Sequence, residues 1–415
     1  YKSINFYIKI EKAVIGMKIL IVSQHYFPDP FSITTIAEYL VKKGHDVTVL
    51  TGKPNYGYYR IVPGYEHLDY EILNGVKIYR VNVIPRKGTK MSIVKNYLSF
   101  WKNAKRKVNK LDDDFDVVYS MSLSPVISIS PAIKYAKKHK IKHVLHCLDL
   151  WPESVVITGI TKHGTLFYNL LLMWSKMIYH SVDRILVSSP SFIEYFEDVI
   201  KIKNESICKF VPQPTLETNI IDENYFKYDK EYLNFVYCGN IGKLQNIPNL
   251  IEAIKILSSK MKIRFYIIGL GALKDYLIKK IPEYNLDNNI IHLGAKPANE
   301  ARTYFKNADA LYLGLKDEGF VGKTIPNKLT FYMQNAKPII ASIGGDAKQV
   351  LLESKGAVIC DNSVEGIVKA FEQFKELDEP SKEKMGINNL EYFKKHFDNE
   401  IVLSKIEEEL KKHCN

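Results

Sequence analysis

Cysteine is scarce in this chain of 415 residues: five stand singly, at Cys147, Cys208, Cys238, Cys360 and Cys414. An odd number, with no Cys-x-x-Cys pair and no histidine cluster beside them, gives no zinc spacing and fits a reducing compartment. Apolar runs are short as well. None approaches the roughly 18 residues that a membrane-spanning helix requires, and residues 1–16 are broken by Glu11 and lysines, so they read as neither a span nor a signal peptide. Met17 is expected as the natural start, with residues 1–16 upstream of it. Solenoid repeats are absent, and the one low-complexity tract, Asp112-Asp-Asp, reads as an exposed turn. No helix-turn-helix, zinc or aromatic-sheet reader pattern appears, so nucleic acid is not an expected partner.

What is present begins with charge. Lysine and arginine number 58 against 46 acidic residues, a formal net charge of +12, which favours anionic partners or surfaces. Most of these lysines read as solvated faces. The stretch from Arg86 to Lys110 is different: it has basic residues throughout, no acid, and Ile93, Val94, Tyr97, Leu98, Phe100 and Trp101 between them. As a helix it is basic and amphipathic. It is expected to dock on an anionic membrane with Tyr97, Phe100 and Trp101 inserted shallowly, or to turn those aromatics into a core.

Length fits two domains. Lys18 to Ser23 is a continuous apolar run, Phe27 to Pro30 breaks the chain, and Ser32 to Lys43 has a helical period through Ile33, Ile36, Ala37, Leu40 and Val41. Asp46 to Thr51 is then a second buried strand, giving a βαβ unit and a parallel sheet. Further strands are expected at Gly75, Phe115, Lys142 and Arg184, closing a doubly wound α/β domain over 17–205. The pattern restarts at Asn234 after Val211-Pro-Gln-Pro-Thr, with strands at Lys262, Ile290, Ala310, Pro338 and Ala357. This second domain is expected over 206–389, with a C-terminal helix, about 390–415, returning to the first.

Two segments of the second domain carry phosphate-binding chemistry. Gly239-Asn-Ile-Gly-Lys243 follows a strand, and its glycines let backbone N–H groups approach a phosphate, with Lys243 as counter-charge. Phe320 to Ser342 runs through a Pro-Asn-Lys turn, a short helix and a strand start. Asn327 is the expected N-cap, Lys328 lies in the first turn, and Leu329, Tyr332 and Met333 form the buried stripe. Two lysines and several amides suit the departure of a nucleoside diphosphate.

These residues resemble the GT-B glycosyltransferases of the family-4 type. The likeness runs from Met17 nearly to the end, through Gly44-His-Asp-Val-Thr-Val-Leu-Thr-Gly, Lys53-Pro-Asn-Tyr and Asp149-Leu-Trp-Pro-Glu-Ser154. That last box, with Gly239-Asn-Ile-Gly-Lys-Leu-Gln245 and Ile343-Gly-Gly-Asp, resembles the WbuB-type N-acetyl-fucosaminyl transferases of O-antigen and capsule assembly. The resemblance implies two Rossmann-like domains facing a cleft and retaining transfer from a UDP-linked N-acetylated hexose, without an essential metal. It implies a polyprenyl-diphosphate-linked glycan as acceptor and work at the cytoplasmic face of the membrane, where residues 86–110 would meet anionic lipid. Gly239, Asn240, Gly242, Lys243, Asn327, Lys328, Gly345 and Asp346 are the expected donor-binding residues. Asp149, Lys328 and His146 are the expected catalytic ones, with His25 and Glu153 as further candidates near the cleft.

Two departures from the family pattern stand out. Lys323 and Phe331 occupy places where many members carry a pair of glutamates, and Asn240 and Gln245 replace a usual Arg and Lys. A UDP-N-acetylglucosamine 2-epimerase of the same two-domain plan, or a non-catalytic glycan-binding relative, are the alternative readings.

Overall fold

The computed structural model describes residues 16–57, 59–87, 89–111, 114–203, 206–215 and 226–414. Residues 1–15 and most of the Asp112-Asp-Asp tract, for which expectations were given above, lie outside them. The short apolar runs form two sheets. The first holds β1 (Lys18–Val22), β2 (Asp46–Gly52), β3 (Tyr70–Leu73), β4 (Val76–Val81), β5 (Val117–Ser122), β6 (Lys142–Cys147), β7 (Arg184–Val187) and β8 (Cys208–Phe210). Their order is β3-β4-β2-β1-β5-β6-β7-β8, parallel except for β3 against β4. Its central strands are covered on both faces, which is why they read as unbroken apolar runs rather than alternating ones.

Two features of this sheet depart from the sequence reading. β3 pairs with β4 through Asn74-Gly75, both at positive φ, the two-residue turn that matches strand twist. β8 pairs with β7 up to Phe210, so the first sheet continues past residue 205.

Helix α1 (Ile33–Lys42) covers one face of this sheet, while α2 (Lys90–Lys107), α3 (Ser130–His139), α5 (Leu166–Tyr179) and α6 (Ser191–Tyr195) cover the other, with the short α4 (Glu153–Ile157) at the rim. Within α2, Phe100 is fully buried against Leu20, Leu50 and Val118. Tyr97 and Trp101 are half-buried under Arg86 and Lys105. Phe100 is therefore core and not a membrane anchor; the exposed apolar residues of α2 are Met91, Val94 and Leu98.

The second sheet, β11-β10-β9-β12-β13-β14, is all parallel. It consists of β9 (Leu233–Cys238), β10 (Ile263–Ile268), β11 (Ile290–Gly294), β12 (Ala310–Gly314), β13 (Ile339–Ser342) and β14 (Ala357–Cys360). Around it lie α7 (Ile247–Ser258), α8 (Lys274–Glu283), α9 (Ala298–Phe305), α10 (Gly319–Gly322), α11 (Asn327–Met333), α12 (Gly345–Ser354), α13 (Val364–Glu376) and α14 (Glu379–His396). Strand order reverses between β1 and β5 and again between β9 and β12. Open α/β sheets place their ligand crevices at such points, beyond the carboxyl ends of the strands.

The last helix, α15 (Asn399–Lys412), crosses back to the first domain. Val402, Leu403, Ile406 and Leu410 join the core beneath α1. Glu407 contacts His45 at 3.0 Å, and the buried Glu409 carboxylate meets Arg184 at 2.7 Å, Lys209 at 2.8 Å and Lys412 at 3.0 Å. Burial alone would raise the Glu409 pKa, but its basic partners hold it at about 2.

Candidate active site

On the second-domain side the site is built around the end of β9. The Cys238 N–H donates to the Tyr332 hydroxyl at 2.7 Å, and that hydroxyl in turn donates to the Cys238 carbonyl at 3.2 Å. Tyr332 thus fastens α11 to the strand end. One turn earlier on α11, Lys328 reaches Tyr237: its Nζ donates to the phenol oxygen at 2.8 Å and lies 4.0 Å from the ring centroid. The Tyr237 hydroxyl passes the chain on to the Asn240 carbonyl. Gly239, at φ +147°, is what makes room, since a Cβ there would stand 2.6 Å from Lys328 Cε. Burial lowers the Lys328 pKa to about 7, and among the described residues no carboxylate bears on it. It is a cation site without an anion.

Asn327 is not the N-cap. Pro326 holds that position with extended backbone, so Asn327 is the first helical residue and makes no capping bond. It lines a cavity of about 220 Å³ between the domains, which Asp149 lines from the first domain. Leu329, Tyr332 and Met333 are fully buried, as the helical spacing indicated.

The loop after β9 is organised by its own side chains. A Cβ at Gly242 would meet Gln245 Oε1 at 2.5 Å and Asn240 Nδ2 at 2.7 Å, so the two residues that replace the usual Arg and Lys fold over the loop. Lys243 is exposed and lines a second cavity, about 350 Å³, with Glu153, His163, Lys316, Glu318 and Phe320. Lys328 does not line that cavity. Phe331 packs edge-on against Phe305, and Lys323 lies over the Phe320 ring.

Asp346 is taken up differently from the donor role expected of it. Gly345, at φ +57°, opens α12 with no space for a Cβ beside Lys323. The Asp346 carboxylate accepts the Ser191 N–H of the other domain at 2.8 Å, because the first amides of α6 have no helical partner of their own. Beside it the Ile325 N–H donates to Ser189 Oγ at 2.8 Å, and Phe320 packs edge-on against Tyr195 at 5.2 Å. These contacts close one side of the cleft.

In the first domain Asp149 follows β6. Its buried carboxylate accepts the Ser124 N–H at 3.3 Å, and burial raises its pKa. His146, three residues earlier, does not reach the cleft. The pleat puts it on the side of Val144, in the core, where its ring nitrogens meet the Tyr119 hydroxyl at 2.9 Å and the Val211 carbonyl at 3.0 Å. Burial lowers its pKa to about 4, so it is a neutral structural histidine rather than a catalytic one. His25 is also buried. It contacts Asp29 at 2.8 Å and Arg86 at 3.2 Å and stacks on Phe31. Glu153 accepts hydrogen bonds from Tyr168 at 2.7 Å and His163 at 2.6 Å, and Trp151 packs against Trp174.

Two organising residues escaped the sequence reading. Tyr237 looked like one more apolar strand position. Asn362, just beyond β14, donates to the Leu315 and Ser342 carbonyls and accepts from the Asp317 N–H, so it joins three strand ends. Only its place after a strand hinted at this.

Two sheets of the doubly wound kind, carboxyl ends toward one cleft and a last helix returning to the first domain, constitute the GT-B fold. Solved structures align over nearly the whole chain: the sucrose-phosphate synthase of Thermosynechococcus elongatus, with TM-score 0.72, 15% identity and coverage of 95% of this chain and 98% of that one, and Anabaena HepE in complex with UDP, with TM-score 0.67, 12% identity and 95% and 100% coverage. Residues 31–208 match the family model described as Glycosyltransferase Family 4, and residues 219–391 the one described as Glycosyl transferases group 1. The probable glycosyltransferase WbjE of Pseudomonas aeruginosa is 26% identical over 276 residues, 63% of this chain and 67% of that protein. The putative colanic acid biosynthesis glycosyl transferase WcaI of Escherichia coli K12 is 24% identical over 356 residues, 80% and 82%. The chain belongs to the GT-B glycosyltransferases of the family-4 type.

Proposed function

We propose that the protein is a retaining hexosyltransferase that moves an N-acetylated sugar from a UDP donor to a lipid-linked intermediate of a surface polysaccharide. O-antigen and capsule are the glycans in view, in the manner of the WbuB-type subgroup, and the work is done at the cytoplasmic face of an anionic membrane. Lys328 carries the reading: a lysine with a depressed pKa and no carboxylate partner among the described residues, set behind Gly239 at the strand-order reversal. What it lacks is an anion, and a diphosphate fits. When the anomeric bond to the diphosphate breaks, charge grows on the leaving oxygens, and a preorganised cation with nearby backbone amides stabilises it. Lys328 and the Gly239–Gly242 turn supply that positive field, so the reading invokes no divalent metal. Asp149, which lines the same cavity as Asn327, accepts a hydrogen bond from the incoming acceptor hydroxyl. The UDP bound to HepE and the colanic acid in the description of WcaI support the donor and product classes.

Incubation with a panel of UDP-sugars and a lipid-linked acceptor extract tests this. Sugar should appear on the acceptor with release of UDP, and Lys328→Ala should abolish it. Epimerised UDP-sugar without acceptor would replace the reading by a 2-epimerase, and neither product by a glycan-binding relative.

A further inference from the structure

Helix α5 presents an unusual outer face. Leu166, Phe167, Leu170, Met173 and Met177 recur at helical spacing, and each is half or more exposed, Leu166 at 77% and Met173 at 65%. The opposite side of the same helix is ordinary core, with Tyr168, Ile178 and Tyr179 buried. A soluble surface does not normally carry so large a contiguous apolar stripe unless something covers it.

The neighbours say what covers it. Helix α3 lies between α2 and α5, giving Ala132, Tyr135 and Ala136 to the core under α2 and Ile133 to the core under α5. Lys137 on α3 bonds Ser181 just after α5, at 3.1 Å. The three helices therefore form one layer on one face of the first sheet. Together they carry ten basic side chains, six on α2, three on α3 and one on α5, and no acidic residue, while the flanking α6 and the turn after it, which packs on α5, add Glu194, Glu197 and Asp198. Helix α2 has exposed apolar residues of its own, Met91, Val94 and Leu98. A second copy seated symmetrically on this face would oppose basic to basic, whereas an anionic bilayer offers acyl chains to the stripe and headgroups to the lysines.

We infer that the α2-α3-α5 layer is a membrane-docking surface on which α5 inserts its apolar face among anionic phospholipids, with α2 and α3 supplying the basic surround. This deepens the reading of a membrane-borne acceptor and rests on it for its purpose. The position suits that purpose: Tyr168, in the first turn of α5, bonds Glu153, which lines the cleft cavity shared with Lys243. Docking by α5 would hold the cleft mouth at the lipid surface.

Flotation with vesicles of phosphatidylcholine, with and without phosphatidylglycerol, tests the surface apart from catalysis. The protein should float with the anionic vesicles and be released by salt. The double variant Leu170→Glu/Met173→Glu should lower the partition coefficient by on the order of a hundredfold while UDP affinity is unchanged. Environment-sensitive dye on Leu166→Cys, with the rest of the stripe intact, should shift to the blue on anionic vesicles only. Absence of flotation, unimpaired flotation of the double variant, an unshifted dye, or a native dimer that the double variant makes monomeric would overturn the inference. Failure of sugar transfer with flotation intact would instead sink the proposed function and leave the docking surface standing.

Discussion

Lys328→Met separates stability from binding at one residue. In the folded protein the ammonium titrates at about 7 instead of 10.5 because burial disfavours its charge. At about 1.4 kcal/mol per pH unit, keeping it protonated costs the fold ~4 kcal/mol at pH 7. The sign follows from proton binding: below pH 7 both states hold the proton and the cost is complete, and it fades as pH rises from 7 to 10.5, above which the unfolded chain has also lost its proton. Methionine, similar in length and uncharged, should therefore raise the urea midpoint at neutral pH. UDP affinity should move the other way. The diphosphate selects the protonated lysine, which falls from half the molecules at about pH 7 to ~1% at pH 9, so the dissociation constant should rise ~50-fold across that interval. UDP itself contributes little there, because a terminal phosphate ionises near pH 6. Calorimetric titration at several pH values, in buffers of differing ionisation enthalpy, would reveal the accompanying proton uptake. A flat profile in the native protein, or the same slope in Lys328→Met, would refute the assignment.

Other substitutions test the remaining roles. Asp149→Asn should lower kcat by on the order of a hundredfold with little change in UDP affinity, and near-native turnover would remove it from the acceptor site. His146→Gln should cost ~1–3 kcal/mol of stability through lost buried hydrogen bonds, while the folded fraction keeps its kcat/KM; a selective loss of turnover would restore a catalytic role. Glu409→Gln leaves Arg184 and Lys209 without their carboxylate and should destabilise by ~2–4 kcal/mol. The native protein should lose the same contribution only as pH drops below the usual carboxylate range toward about 2, since the folded Glu409 is held at about 2 and stability resides in its ionised form.

The parallel strands were legible because strands covered on both faces must be apolar throughout. Weakly apolar edges were not: β8 is three residues long, and β3 is half solvated, although Asn74-Gly75 announced the turn before β4. Helical spacing also recovered the buried stripe of α11. Positions at a strand end divided according to side-chain direction. Asp149 and His146 lie three residues apart, yet Asp149, past the end of β6, lines the cavity between the domains, while the pleat turns His146 into the core. The hydrogen bond of Asp346 to the Ser191 amide, 155 residues away, is a pairing no local pattern encodes. The same holds for Lys328 and Tyr237, 91 residues apart, which meet where Tyr332 fastens α11 to β9.

The path of the final helix bears on how this enzyme can be taken apart. Cutting the chain in the 211–215 connection would yield no independent first half, because α15 supplies Val402, Ile406 and Leu410 to that half's core. A fragment ending at Phe210 would expose the groove beneath α1 and strand Arg184 and Lys209 as unpartnered cations. A first-domain fragment must instead carry residues 399–414 grafted onto it, and circular permutation is the natural design.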